Sequence, residues 1–142
     1  MGCGMKVNEL MSTHVISVSQ DTRIHDVARL MAEHDIGVLL VYDEKHVVGI
    51  VTDRDIVTRF VSRDDAAINC AVRDILTADV VCCHDRQDMR KAAEIMGDHQ
   101  VRRLPVLDDN DHLVGIVTLG DIARDGSEHL AGEALGEIVE ER

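Results

Sequence analysis

Two short stretches place a hydroxyl and a carboxylate three residues apart. They read GIVTDRD at 49–55 and GIVTLGD at 115–121. Thr52 precedes Asp55, and Thr118 precedes Asp121. In each, an apolar run ends at the threonine and a helix can begin just beyond it. Backbone N–H groups are unpaired at such a start and favour an anion. The threonine hydroxyl can cap the helix or donate to that anion. The aspartate can stabilise the helix dipole or accept both hydroxyls of a sugar diol. The purely structural reading of T-x-x-D is a capping box variant. A cap does not require strand, glycine and spacing to recur together, as they do here.

Arg102 and Arg103 are a second candidate pair, in VRRLPV. The first copy has Gly37 and Val38 there, in IGVLLV. Guanidinium forks match phosphate oxygens, so the pair can clamp a phosphate. The alternative is surface arginines pairing with the chain's many acids. Either way the copies are chemically unequal, one basic and the other mainly apolar.

These residues sit in an internal repeat, which has to be settled before any other fold argument. A shift of 65 lays Val15 on Val80, Ala28 on Ala93, Met31 on Met96 and Val41 on Val106. One extra residue in the second turn raises the shift to 66, and Gly49 falls on Gly115. Each copy reads helix–strand–helix–strand–strand–helix. VNELMS and VRDILT open the copies as short helices. HVISV and DVVCC follow as strands. Ile24, Val27, Leu30 and Met31 recur at helical spacing, as do Met89, Ala92, Ala93 and Met96. Asp21 is expected to cap the first of these helices. Apolar strands flank the polar turns DEKH and DDNDH. After Gly126, Leu130, Ala134, Leu135, Ile138 and Val139 form one stripe of a tail helix expected to dock elsewhere, for example on a second subunit.

Composition narrows the function classes. The chain has 142 residues, enough for one domain or two very small ones. A half of about 60 residues is marginal alone, so each copy needs the other. The 15 basic and 27 acidic residues leave a net charge of −12, which argues against nucleic-acid binding. One Tyr and one Phe give no base-stacking platform. No apolar run reaches the ~20 residues of a membrane span, and residues 1–10 carry no apolar signal region, so a cytoplasmic protein is expected. The four Cys form no C-x-x-C pair and read as reduced, largely buried thiols. Cys82 and Cys83 point to opposite faces of a strand. The eight His show no metal-ligand spacing, so no metal is predicted. No nucleophile–base pair is visible, and the chain is not expected to be an enzyme.

The twofold pattern, with GIVTDRD after VYDEKHV and GIVTLGD after VRRLPVLDDNDHLV, resembles tandem CBS domains, the Bateman module. The resemblance spans about residues 5–125. It implies an α/β (α+β) fold in which two β-α-β-β-α motifs pack about a pseudo-twofold axis. The motifs are expected at 5–61 and 70–125, with a connection at 62–69 and a tail helix at 126–142. It implies two clefts that bind AMP, ADP or ATP, or alternatively NAD or S-adenosylmethionine. By resemblance Asp55 and Asp121 hold ribose, and Thr52 and Thr118 lie near phosphate. Ile16 and Val81 offer backbone to adenine. Arg102 and Arg103 contact phosphate, at the positions Gly37 and Val38 fill in the first copy. Leu40 departs from the pattern, standing where many members have proline. The better cleft is expected to combine Thr52 and Asp55 with Val81, Arg102 and Arg103. The implied protein is a regulatory nucleotide sensor, a homodimer acting on an unidentified protein partner. A structural dimerisation module with empty clefts is the alternative.

Overall fold

A computed structural model describes residues 4–63, 69–78 and 80–140. The expected connection at 62–69 therefore lies largely outside the described residues. Contacts sort the chain into two compact units, residues 16–80 and residues 1–15 with 81–142.

The first unit holds β1 (Ser17–Ser19), α2 (Ile24–His34), β2 (Val38–Asp43) and β3 (His46–Thr52). It ends with α3 (Asp53–Ile56), which continues as a π-helical turn over Val57–Val61, and a 3-10 turn over Val72–Asp74. The second holds α1 (Val7–Leu10), β4 (Cys83–His84), α4 (Met89–His99), β5 (Arg103–Leu107) and β6 (Leu113–Thr118). There α5 (Leu119–Asp121) continues as a π-helical turn over Ile122–Gly126, and α6 (Glu128–Ile138) follows. The element order is the one the repeat predicts, a mixed α/β architecture with a three-stranded sheet in each copy. In each sheet the outer short strand runs parallel to the middle one, and the last two strands are antiparallel. Both hairpins carry an irregularity at the same place, Val41/Tyr42 and Val106/Leu107.

The helices bury the faces their spacing predicts. Ile24, Val27 and Met31 of α2 are buried, as are Ala92, Ala93 and Met96 of α4. Both helices end on a left-handed residue, Asp35 (φ 53°) and Gln100 (φ 54°). The following amides return to Met31 and Met96 carbonyls at 3.0 Å, closing a Schellman-like end.

Two expectations need correction. Asp21 does not cap α2. Arg23 holds the cap position, with no side-chain cap bond. Asp21 lies two residues too early and pairs with Arg73 instead. In the other copy Asp88 sits directly before α4 and accepts from Arg90 N–H at 2.9 Å. The tail stripe docks within its own unit, and only in part: Leu130, Ala134 and Ile138 pack on the core. Ala131 and Ala134 are buried, whereas Leu135 and Val139 are 42% and 61% exposed. The helix packs on α4 of its own unit, where small residues let it close in. A Cβ on Gly97 would fall 2.4 Å from Glu137 Oε2.

The glycine of each GIVT run has a packing reason. The amide and carbonyl of Ile50 exchange hydrogen bonds with Thr77 at 3.0 and 2.8 Å, and those of Ile116 with Ser12 at 2.9 and 2.8 Å. The crossing segment therefore runs tight over the preceding residue. A Cβ on Gly49 would stand 2.6 Å from the Thr77 carbonyl oxygen, and one on Gly115 2.8 Å from that of Ser12. Backbone cannot swing aside as a side chain can. Gly49→Ala and Gly115→Ala are each expected to cost about 1–3 kcal/mol, the range for overpacking. Thermal melting checks this, and an unchanged melting temperature in either variant would show that the crossing segment yields freely.

Candidate functional site

In the first unit the sequence-predicted residues gather at one end of the sheet. Thr52 closes β3, and Val38 opens β2 directly opposite it. Gly37 precedes Val38, and its carbonyl accepts from Asp53 N–H at 3.0 Å. Ile16 precedes β1, and its carbonyl accepts from Leu40 N–H at 3.4 Å. The β3–α3 junction is a full capping box. Thr52 Oγ1 accepts from Asp55 N–H, and Asp55 Oδ2 accepts from Thr52 N–H, both at 3.0 Å. The carboxylate is thereby drawn inward, and Asp55 is only 8% exposed. The Thr77 hydroxyl adds a contact to Oδ2 at 3.4 Å. Arg59 Nε lies 3.7 Å from Oδ1, and its Nη1 donates to the Ile75 and Leu76 carbonyls at 3.1 and 3.2 Å.

The second unit repeats the plan. Thr118 and Asp121 exchange bonds of 3.1 and 2.9 Å. Arg103 opens β5 opposite Thr118, and the Arg102 carbonyl accepts from Leu119 N–H at 2.9 Å. Val81 is half-buried two residues ahead of β4. Asp121 Oδ1 accepts from Arg124 Nη2 at 2.8 Å. Both Arg102 and Arg103 are exposed.

The structure thus groups Ile16, Gly37, Val38, Thr52 and Asp55 in one unit, and Val81, Arg102, Arg103, Thr118 and Asp121 in the other. The expected combination of Thr52 and Asp55 with Val81, Arg102 and Arg103 draws on both units. The capping reading of T-x-x-D holds in both copies. It leaves one oxygen of each aspartate, Oδ1, facing an arginine and available to exchange that partner for a ligand's hydroxyls. Sequence reasoning missed those arginines. Their signal was present, since Arg59 and Arg124 stand at i+4 and i+3 from their aspartates, the helical neighbour spacings. Asp53 also lies here, its carboxylate against Gly37.

Among the described residues, no group of three or more His, Cys, Asp or Glu is placed to hold a metal ion. No helix of the described residues is long and apolar enough to cross a membrane.

The comparisons match this geometry. The CBS domain family model matches residues 7–62 and 72–128. The CBS domain-containing protein YhcV of Bacillus subtilis (strain 168) is 35% identical over 133 residues, 93% of this chain and 94% of that protein. The crystal structure of the CBS domain pair of protein MJ0100, in complex with 5′-methylthioadenosine and S-adenosyl-L-methionine, is similar with a TM-score of 0.72. It is 28% identical, with 85% of this chain and 94% of that one covered. The structure of CBSX2 in complex with AMP is similar with a TM-score of 0.69 at 26% identity, covering 85% and 95%. A chain with two matched motifs and two three-stranded sheets belongs to the CBS domain family, as a CBS domain pair.

The cysteines complete the description. Cys83 is buried, and burial with Cys82 beside it pushes its thiol up to about 12. Burial, and then the charge of Asp111, raises the Cys82 thiol too. Thiolate is the reactive form. Cys83 is therefore expected to resist iodoacetamide in the folded protein at pH 8 and to react on unfolding, read by peptide mass spectrometry. Fast native labelling of Cys83 would contradict its burial.

Proposed function

We propose that this CBS pair is a non-catalytic regulatory module that binds adenosyl ligands, AMP, ADP or ATP foremost and NAD or S-adenosylmethionine as alternatives. The observation that carries the proposal is the duplicated aspartate. In both units it is anchored through one oxygen by the backbone, while the other oxygen faces an arginine side chain among the described residues. A ribose diol can replace that arginine on Oδ1. Solved CBS pairs of similar fold hold AMP, 5′-methylthioadenosine and S-adenosyl-L-methionine, which supports the adenosyl class. In this reading Asp55 and Asp121 accept ribose hydroxyls. Thr52 and Thr118 lie near the phosphate, and the backbone at Ile16 and Val81 meets adenine. Arg102 and Arg103 receive phosphate, and Gly37 and Val38 line the matching place in the first unit. The motifs at 5–61 and 70–125 form the binding modules, joined through 62–69 and followed by the tail at 126–142.

The module acts as a homodimer, in the cytoplasm, on a protein partner that reads its ligand state. Val57 and Val61, 58% and 65% exposed one turn apart, support self-association. Light scattering across micromolar concentrations is expected to show a dimer, and a monomer throughout would remove that part of the proposal.

The central test is a titration series with AMP, ADP, ATP, NAD and S-adenosylmethionine, followed by melting and calorimetry. A ligand that binds only the folded state stabilises it by about 2.7 kcal/mol at a hundredfold excess over Kd. No shift with any of them would favour a structural module with empty clefts. Two variants then separate the roles. Asp55→Asn keeps an acceptor for Thr52 N–H but loses the charge. It is expected to weaken adenosine and AMP alike at its site, by roughly 1.5–3 kcal/mol. Arg103→Ala is expected to weaken AMP and spare adenosine, with a difference that shrinks as salt rises. Equal loss of adenosine and AMP in Arg103→Ala would make that arginine structural.

A further inference from the structure

The repeat gives each unit a matching helix, but the two helices are not covered alike. In the second unit α6 lies along α4. Its Ala131 and Ala134 are buried, and so are Ala93 and Gly97 on α4. The Gln100 side-chain amide donates to the Glu137 and Glu140 carbonyls at 3.1 and 2.7 Å and closes the end of α6. A shift of 65 carries this seat onto α2 of the first unit as Ala28, Ala32 and Asp35, with His25 in the place of Arg90. His25, Ala28, Ala32 and Asp35 are all exposed. On the turn that carries Phe60, Val57 and Val61 are exposed as well, where the second unit has Ala123 and the α6 cap Ser127.

The open seat does not suit a tail helix. Asp35 and Gln100 share the left-handed backbone, with φ of 53° and 54°. Gln100 donates to helix carbonyls, whereas a carboxylate has no hydrogen to donate and repels the negative end of a helix. The seat is complementary to itself instead. His25, Ala28, Ala32 and Asp35 alternate in steps of three and four residues, the seam of paired helices. Turned antiparallel about a twofold axis between Ala28 and Ala32, the seam sets Ala28 against the partner's Ala32. It also sets His25 against the partner's Asp35, twice per pair. The alanines admit a close approach, and each imidazole N–H meets a carboxylate. A parallel register would set like against like. The His25 ring is already positioned, at right angles to Phe60 with centroids 5.7 Å apart. On the flank, Arg29 pairs with Asp26 at 3.3 Å within its own helix, and antiparallel register brings it near the partner's Glu33.

We propose that α6 stands in for a second copy of the chain: it fills on the second unit the seat that on the first unit takes α2 of a partner in antiparallel register, so the chain pairs through α2 and not through α4. This rests on the homodimer reading above and names its face. An isologous contact of this kind closes at two chains.

The test uses the full chain, with pairing read by sedimentation and native mass spectrometry. Ala28→Gln keeps a good helix former at an exposed position. It is expected to weaken the dimer about tenfold or more, as overpacking at a close contact does. His25→Asp sets carboxylate against carboxylate. Asp35→His sets imidazole against imidazole, and histidine tolerates the left-handed backbone. Each of these is expected to weaken its own dimer about tenfold. Mixed in equal amounts, the two variants regain both His–Asp pairs, and the mixed dimer is expected to predominate over either parent. Hydrogen exchange across the dimerisation range is expected to slow in α2 and to stay unchanged in α4. Melting curves confirm that each variant folds. The inference is overturned if Ala28→Gln pairs as the wild type does, or if the mixture gives the mixed dimer only in statistical proportion. Slower exchange in α4 also overturns it, since α6 then yields its seat. Any of these in a dimeric wild type leaves the homodimer reading standing. A wild type that stays monomeric sinks both.

Discussion

Burying a carboxylate is costly unless donors surround it. Asp55 meets that demand with the Thr52 amide, the Thr77 hydroxyl and the Arg59 guanidinium. Much of the first unit's geometry follows from this one arrangement. The Thr52 bond fixes the angle at which α3 leaves β3. Thr77 belongs to the segment that crosses Gly49, so the contact draws that segment against the sheet. Arg59 continues the chain of contacts to the Ile75 and Leu76 carbonyls. A side chain that can accept from a ligand is thus also a structural anchor. That double duty is why a simple truncation of Asp55 would confuse stability with binding.

The second unit anchors Asp121 by the same box but closes it differently. Arg124 reaches Asp121 and also lies 3.5 Å from Asp125. Its charge is shared between two carboxylates on its own turn, whereas Arg59 also reaches across to another segment. The two arginines therefore differ in structural reach. In the first unit the arginine also holds the Ile75 and Leu76 carbonyls.

Comparing the chain with itself made the element order legible. Neither copy alone distinguishes a short strand from a loop, but two copies in register do. Boundaries were less legible. The runs HVISV and DVVCC shrink to Ser17–Ser19 and Cys83–His84, because only those residues pair with the middle strand. The cap of α2 was misplaced because Asp21 answers to Arg73, 52 residues away, which no local pattern reveals. The tail helix was read by apolar size, yet its most buried residues are Ala131 and Ala134, against a glycine-bearing face; Leu130 and Ile138 pack beside them, and Leu135 and Val139 turn outward. The repeated glycine was legible as a pattern and not as a cause. Its cause is a carbonyl from Thr77 or Ser12, brought there only by folding. The two Thr–Asp capping boxes were legible because their spacing recurs. Arg59 and Arg124 were passed over because their spacing does not recur from copy to copy.

What the two copies share and where they part is itself physically ordered. The shared positions are those where backbone geometry leaves no choice, the glycine under the crossing segment and the Thr–Asp box. The positions that part are those that set charge, 37 and 38 against 102 and 103, and 53 against 119. These changes are coupled. A side chain at 37 would strike the Asp53 carboxylate, so a cation there needs a different residue at 53 or a different rotamer of it. On a chain of net charge −12 the surrounding field disfavours anions everywhere else. Local clusters of one or two charges therefore distinguish the two units. The scaffold keeps the Thr–Asp box by the same bonds in both units, while the charge beside it differs at three positions, two of which are coupled by packing.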